Sequence, residues 1–202
     1  MPEPDAGHLE CDDAPSPARC APVLAAAFVR EPAMAWISGG SDPVRQAWFG
    51  ATLRTHATLR GGRRHLLADR QGQPVAAALL TPPSAVPSGA ARAAWAARTL
   101  AGCGPRALVR TLRYLHRTEA EVPPEAWTLE FIGVEPEWVG RGAGGRLLGH
   151  VIAETPAPGG IFLTTADEAN VRLYRRFGFT TLRRLQVGPL EVTAMWRPNT
   201  RP

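Results

Sequence analysis

Lysine is absent from this chain: all 23 of its basic side chains are arginine. The absence matters most in the glycine-rich stretch Gly140-Arg141-Gly142-Ala143-Gly144-Gly145, because a P-loop ends in a lysine that reaches the terminal phosphates. A nucleoside-triphosphate P-loop is thereby excluded. Cysteine is also scarce. Cys11, Cys20 and Cys103 are odd in number, scattered, and form no C-x-x-C, so neither a disulfide framework nor a thiol redox motif is expected. The five histidines show no H-E-x-x-H or comparable ligand spacing, and the sequence predicts no metal. No run approaches the ~20 apolar residues of a membrane span. The acidic opening MPEPDAGHLECDD lacks the basic and apolar regions of a signal peptide, so a cytoplasmic location is expected, with no membrane partner. The net charge of +5 rests on arginines interleaved with acids, and no nucleic-acid motif accompanies them, so no nucleic-acid partner is expected.

The apolar content of 45% and charged content of 20% in 202 residues suit one compact domain. Residues 1–7 read as a flexible tail and 8–198 as the domain. A first strand is expected at His8 to Cys11. Ser16 to Arg30 has helical spacing, with Ser16 as N-cap and Pro17 at the first helical position. A second helix begins at Pro43 behind Asp42. Arg63 to Asp69 and Pro74 to Leu80 flank a glycine-containing turn and read as an antiparallel hairpin. Ala90 to Leu100 and Pro105 to Thr118 read as two helices. A second hairpin, Leu182 to Val187 and Leu190 to Trp196, turns at Gly188-Pro189. The order describes an α/β fold with a mixed, twisted sheet of six to seven strands and helices on both faces.

The richest stretch joins an apolar strand, Trp127 to Val134, through Glu135-Pro136 to the glycine loop, which opens into an amphipathic helix carrying Leu147, Leu148, Val151 and Ile152. Free N–H groups at the positive end of a helix dipole suit a phosphate or pyrophosphate. Gly140, Gly142 and Gly145 also satisfy the dinucleotide pattern G-x-G-x-x-G, with Asp167-Glu168 further on. Against that reading, five residues separate strand and first glycine, and too little chain follows for further βα units.

A second segment, Gly160 to Phe179, has a strand (Ile161 to Thr165), an acidic turn and a short helix. Asn170 and Tyr174 are four apart and share one helix face, and Gly178 suits a left-handed C-cap. Together the two segments resemble the GNAT superfamily of N-acetyltransferases. Gly142-Ala143-Gly144 matches the core of the family's loop signature, while the usual Gln or Arg falls at Val139. Asn-x-x-x-Tyr-x-x-x-Gly-Phe matches its later segment. Ala27-Phe28 with Glu31-Pro32, and Ala76 to Pro83, are similar to the puromycin N-acetyltransferase-like branch; where that branch often has Leu-Glu-Thr-Ser, this chain has Leu163-Thr164-Thr165-Ala166.

The resemblance implies an acetyl-CoA cosubstrate, a small-molecule amine acceptor, and a monomer or homodimer. It implies that the strands at 127–134 and 160–165 splay, so that the pantetheine arm adds to the first like an extra strand. Ile132, Gly133 and Val134 would then contact pantetheine and thioester, and Val139, Gly140, Arg141, Gly142, Ala143, Gly144, Gly145 and Arg146 would cradle the pyrophosphate. Asn170 would contact pantetheine, and Tyr174 would protonate the leaving thiolate. Glu130 and Glu31 are the carboxylates placed to serve the amine, Glu130 as base in phase with Ile132 and Glu31 at the acceptor; His116 is a further candidate base. Trp36 and Trp127 are candidates for lining the acceptor cavity, and the helical insertion at 82–126 is expected near that pocket. A protein or peptide acetyltransferase and a non-catalytic acyl-CoA sensor are the alternative functions.

Overall fold

The computed structural model describes residues 9–83, 85–156 and 159–199. The expected tail at 1–7 and the expected strand start at His8 lie outside them. In chain order the elements are β1 (Glu10–Asp12), α1 (Pro17–Ala27), α2 (Pro32–Ser38), α3 (Asp42–His56), β2 (Arg63–Ala68), β3 (Pro74–Thr81), α4 (Gly89–Thr118), β4 (Trp127–Val134), α5 (Ala143–Glu154), β5 (Ile161–Thr165), α6 (Glu168–Arg176), β6 (Thr180–Val187) and β7 (Leu190–Arg197). No single helix among the described residues is long and apolar enough to cross a membrane.

The helix starts follow local chemistry. Ser16 is extended before α1 with Pro17 behind it, although its hydroxyl makes no capping bond. α2, which the sequence pattern did not reveal, is seven residues long and too short to establish a period. Glu31 caps it, its carboxylate accepting the Met34 amide at 2.6 Å. α4 is two helical halves joined at Gly104, whose φ of 78° and ψ of 170° break the helix before Pro105. The expected pair of helices is therefore present, abutted rather than separated.

Seven strands form one sheet in the order β1-β2-β3-β4-β5-β7-β6. Every neighbouring pair is antiparallel except β4 and β5. β3 is buried from Val75 to Leu80 because helices cover both sheet faces. Ala76, Ala78 and Leu80 pack with Leu147, Leu148 and Val151 of α5. Ala77 and Leu79 pack with Leu24 of α1 and with Phe49 and Leu53 of α3.

β4 departs from a regular strand in two ways. Leu79 pairs with Phe131 but Leu80 with Leu129, so Glu130 is the extra residue of a β-bulge. Leu129 faces the α5 side and Phe131, two residues on, faces the α1–α3 side. Strict alternation therefore does not run through Glu130, and its expected phase with Ile132 is lost. Second, β4 pairs with β5 only at Trp127↔Ile161 and Thr128↔Phe162. Beyond Thr128 the strands part, leaving the β5-facing backbone of β4 unpaired to Val134.

Candidate acyl-transfer site

The parting of β4 from β5 opens a cleft of about 200 Å³. Its floor is β4 from Thr128 to Ile132 and β5 from Phe162 to Thr165; α2 and the second half of α4 wall one side, and Asn170 and Tyr174 of α6 the other. Four rings, Phe28, Trp48, Phe49 and Phe131, interlock edge to face at centroid separations of 5.2–5.8 Å on the α1–α3 side of β4. Phe28, Trp48 and Phe131 present part of that cluster to the cleft. Trp48 Nε1 donates to Thr111 Oγ1 at 2.9 Å, tying α3 to the wall of α4. Tyr114 and Thr164 meet hydroxyl to hydroxyl across the cleft at 3.0 Å.

Of the residues singled out in the sequence, Glu31, Glu130, Ile132, Asn170 and Tyr174 are brought to this cleft. Tyr174 is 8% exposed. Burial, with the charges of Glu31 and Asp167, pushes its hydroxyl pKa well up, so it remains protonated at neutral pH. Burial also raises the Glu31 carboxyl, against the lowering effect of the amides of Met34, Ala33 and Ala166. Glu31 is thus held by backbone donors as well as facing the cleft. The Glu130 carboxyl is raised because protein crowds it, with the Thr81 hydroxyl opposing the shift. Its side chain still meets water, which screens that effect.

Other expected residues lie elsewhere. Trp36 is not among the cleft's lining residues: its ring stacks with the Arg110 guanidinium at 5.5 Å and covers Gly188 in the β6–β7 turn. Trp127 is buried under Arg63, 4.9 Å from ring centre to guanidinium. His116 also lies outside the lining. Sequence reasoning missed Phe28, Met34, Trp48, Thr111 and Tyr114. Phe28 alone carried a signal, standing in the Ala27-Phe28 phrase; the rest reach the cleft through packing of α2, α3 and α4.

The glycine loop lies at the C-terminal end of β4. Gly140 and Gly142 have φ of 82° and 83°, and Gly142 is the N-cap of α5. The amides of Val139 and Arg141 already donate to Pro136 and Trp138 carbonyls, and that of Arg146 to Gly142. Among the described residues, those of Gly140, Gly142, Ala143, Gly144 and Gly145 have no backbone acceptor. These five are the available donors of the loop. Gly144 lacks room for more: a Cβ would stand 3.1 Å from Val134 Cγ2. The side chains sort differently from expectation. The Arg146 guanidinium turns back to donate to the Leu9 carbonyl at 2.5 Å, whereas Arg141 is exposed beside Trp138.

A splayed parallel strand pair, a helix-terminal amide cradle beside it and a protonated tyrosine in the cleft between define an enzyme of the acyl-transfer class. The chain belongs to the Acetyltransferase (GNAT) family, whose model matches residues 27–179. The fold is similar to that of a histone acetyltransferase HPA2 and related acetyltransferase from Corynebacterium glutamicum, at 23% identity, TM-score 0.70 and coverage of 96% of this chain and 98% of that one. It is also similar to arylalkylamine N-acetyltransferase 2 from Aedes aegypti (11% identity, TM-score 0.65, coverage 96% and 100%) and to a Drosophila melanogaster polyamine N acetyltransferase (16%, 0.58, 94% and 98%). Among curated proteins no match is found.

Proposed function

We propose that this enzyme transfers an acetyl group from acetyl-CoA to the amine of a small molecule, by direct attack of the neutral amine on the thioester. The observation that carries the reading is the closure of the acceptor side: α2 and the second half of α4 wall a cleft of about 200 Å³, where a protein substrate needs an open groove. The structural relatives that act on polyamines and arylalkylamines support the same reading. The residues present suit the cosubstrate. The free amides of Gly140 and of Gly142 to Gly145 suit a pyrophosphate at the helix N-terminus, and the β5-facing backbone of β4 from Leu129 to Val134 offers partners to the amide-bearing pantetheine arm. Acetyl-CoA supplies the activated acyl group and a thiolate leaving group.

The chain's own residues then have separable tasks. Tyr174 holds a proton at its hydroxyl in the cleft and delivers it as the thiolate departs. Asn170, one turn earlier on the same face of α6, orients the arm beside it. Glu130 takes the amine's proton, directly or through water. Glu31, fixed by backbone donors, attracts a cationic amine to the cleft. The aromatic cluster excludes water and holds the acceptor's carbon skeleton.

The phrases around Glu31-Pro32, Ala76 to Pro83 and Asn170 to Phe179 support membership of the puromycin N-acetyltransferase-like branch. In that branch a carboxylate often stands where Thr164 does here, and Thr164 pairs with Tyr114. The acceptor wall is therefore neutral at this point, which favours a different amine.

The test is calorimetric titration with acetyl-CoA, with NADH as comparison, followed by a screen of small amines and peptides for CoA thiol release. Saturable acetyl-CoA binding and turnover of small amines are expected. Acetylation confined to peptides overturns the small-molecule assignment. Failure to bind acetyl-CoA, or binding without turnover of any amine, favours the sensor.

A further inference from the structure

On the sheet face away from the cleft, four potential metal ligands meet. They are Cys11 of β1, Asp13 just beyond it, His65 of β2 and His150 of α5, with their ligand atoms all within 4.8 Å of one another. None of them lines the acyl-transfer cleft. We propose that these four side chains form a structural zinc site that pins α5 to the first two strands.

The arrangement is convergent. His65 Nδ1 and His150 Nε2 each lie 2.7 Å from the same oxygen, Asp13 Oδ1, and Cys11 Sγ lies 3.4 Å from it. Two imidazole nitrogens and a sulfur converge on one carboxylate oxygen, so the four donors that a tetrahedral site takes are already gathered. The two rings stand nearly perpendicular, 77° apart with centroids at 5.2 Å, so neither blocks the other's approach. Zn²⁺ takes four such N, S and O ligands at about 2.0–2.3 Å, which sets ligand–ligand edges of roughly 3.3–3.8 Å. Asp13 must retreat by about half an ångström to admit the ion. It has the freedom to do so, since its side chain is 56% exposed at the end of a three-residue strand.

The donor set also selects the metal. A thiolate and two imidazoles favour zinc over the oxygen-seeking Mg²⁺ and Ca²⁺. One thiolate and one carboxylate balance the dication, with the thiol proton released on binding. The backbone frame exists already. Cys11 pairs with Leu67 across β1–β2, Asp12 is held by Arg19 at 2.7 Å, and Arg146 ties α5 to the Leu9 carbonyl. His150 lies about one turn past Arg146 on the helix whose N-terminus carries the amide cradle. A metal here fixes that helix from behind while leaving the cleft's own side chains alone.

The test is to strip the purified full-length protein with a chelator and titrate it with Co²⁺ and then Zn²⁺. One equivalent is expected to bind. Co²⁺ should give intense tetrahedral d–d bands with a thiolate charge-transfer band, and Zn²⁺ should raise the melting temperature. Cys11→Ser should abolish the charge-transfer band, and His150→Ala, at a part-exposed helix position, should weaken binding by at least about tenfold and remove the Zn²⁺-dependent stabilisation. Circular dichroism of each metal-free variant establishes that it is folded. A folded wild-type protein that binds less than one equivalent, or whose spectra and stabilisation persist unchanged in both variants, overturns the site and leaves Asp13 as a hydrogen-bond hub. The readouts are independent of acetyl transfer, so the metal assignment and the proposed reaction stand or fall separately.

Discussion

Gly133 of β4 lies directly against Ala27 of α1: a Cβ at Gly133 would stand 2.6 Å from the Ala27 Cβ, with Leu24 and Phe28 also crowding it. β4 is held flat on α1 at this point because Gly133 has no side chain. Gly133→Ala is expected to cost about 1–3 kcal/mol through overpacking between two backbones that cannot part easily. Chemical denaturation should register the loss. A variant as stable as the parent means that α1 is free to move away from β4.

Tyr174→Phe separates chemistry from binding. The ring remains to fill its site against Phe179, and only the cleft-facing hydroxyl is lost. Turnover should fall by about 100-fold or more, the usual contribution of a positioned acid. Acetyl-CoA affinity by calorimetry should change little. Unchanged turnover removes Tyr174 from the mechanism.

Gly142→Ala should do the reverse. Its φ of 83° strains any side-chain-bearing residue by on the order of 1 kcal/mol, and relaxation would turn the first amides of α5 away from their common target. Acetyl-CoA is expected to bind several-fold more weakly, with kcat at saturation largely kept. A lowered kcat with intact affinity would place Gly142 in the chemistry instead.

The two cleft carboxylates are distinguished by different readouts. Glu31→Gln weakens the cap on α2, where the carboxylate accepts the Met34 amide at 2.6 Å, and should cost about 1 kcal/mol of stability as well as raising KM for a cationic amine. Glu130→Gln touches no helix cap. It should leave the melting temperature nearly unchanged and alter the acidic limb of the kcat/KM profile. A pH profile that survives Glu130→Gln intact assigns the proton to another group.

His56 makes stability sensitive to acid. It is 5% exposed, its Nε2 lies 3.1 Å from the Leu80 carbonyl, and its Nδ1 has no partner among the described residues. Burial lowers its pKa from 6.5 to about 4, with the Leu80 carbonyl opposing that shift and Arg64 adding to it. The unfolded chain then binds the extra proton more readily than the folded one. The contribution is complete above pH 6.5 and is lost as pH falls towards 4, amounting in full to about 3 kcal/mol. Urea denaturation at pH 7 and pH 5 should show the decline in the parent and a shallower one in His56→Gln.

Much of the architecture is legible from local pattern. The Trp127–Val134 strand, the loop-to-helix turn at Gly142, and the Asn170–Tyr174 face depend on short-range periodicity and on glycine's access to positive φ, which neighbouring residues largely decide. Glu130 is where that logic stops. Its bulge arises from the register between β3 and β4, and a one-residue slip changes which face a side chain meets. α2 leaves no pattern in the sequence because seven residues establish no period, and its cap, Glu31, also faces the cleft.

The amino-acid order by itself determined most of the elements, the family and the two segments proposed to face the cosubstrate, because each lies within a few dozen consecutive residues. Tertiary structure decided which aromatics line the cleft: Trp48 of α3 reaches it, while Trp36 and Trp127 are taken up by Arg110 and Arg63. It also decided the meeting of the neighbours Cys11 and Asp13 with His65 and His150, four residues that span 140 positions of chain. Side chains so far apart are brought within ligand distance only when β1, β2 and α5 pack together, and no periodicity along the chain records that approach.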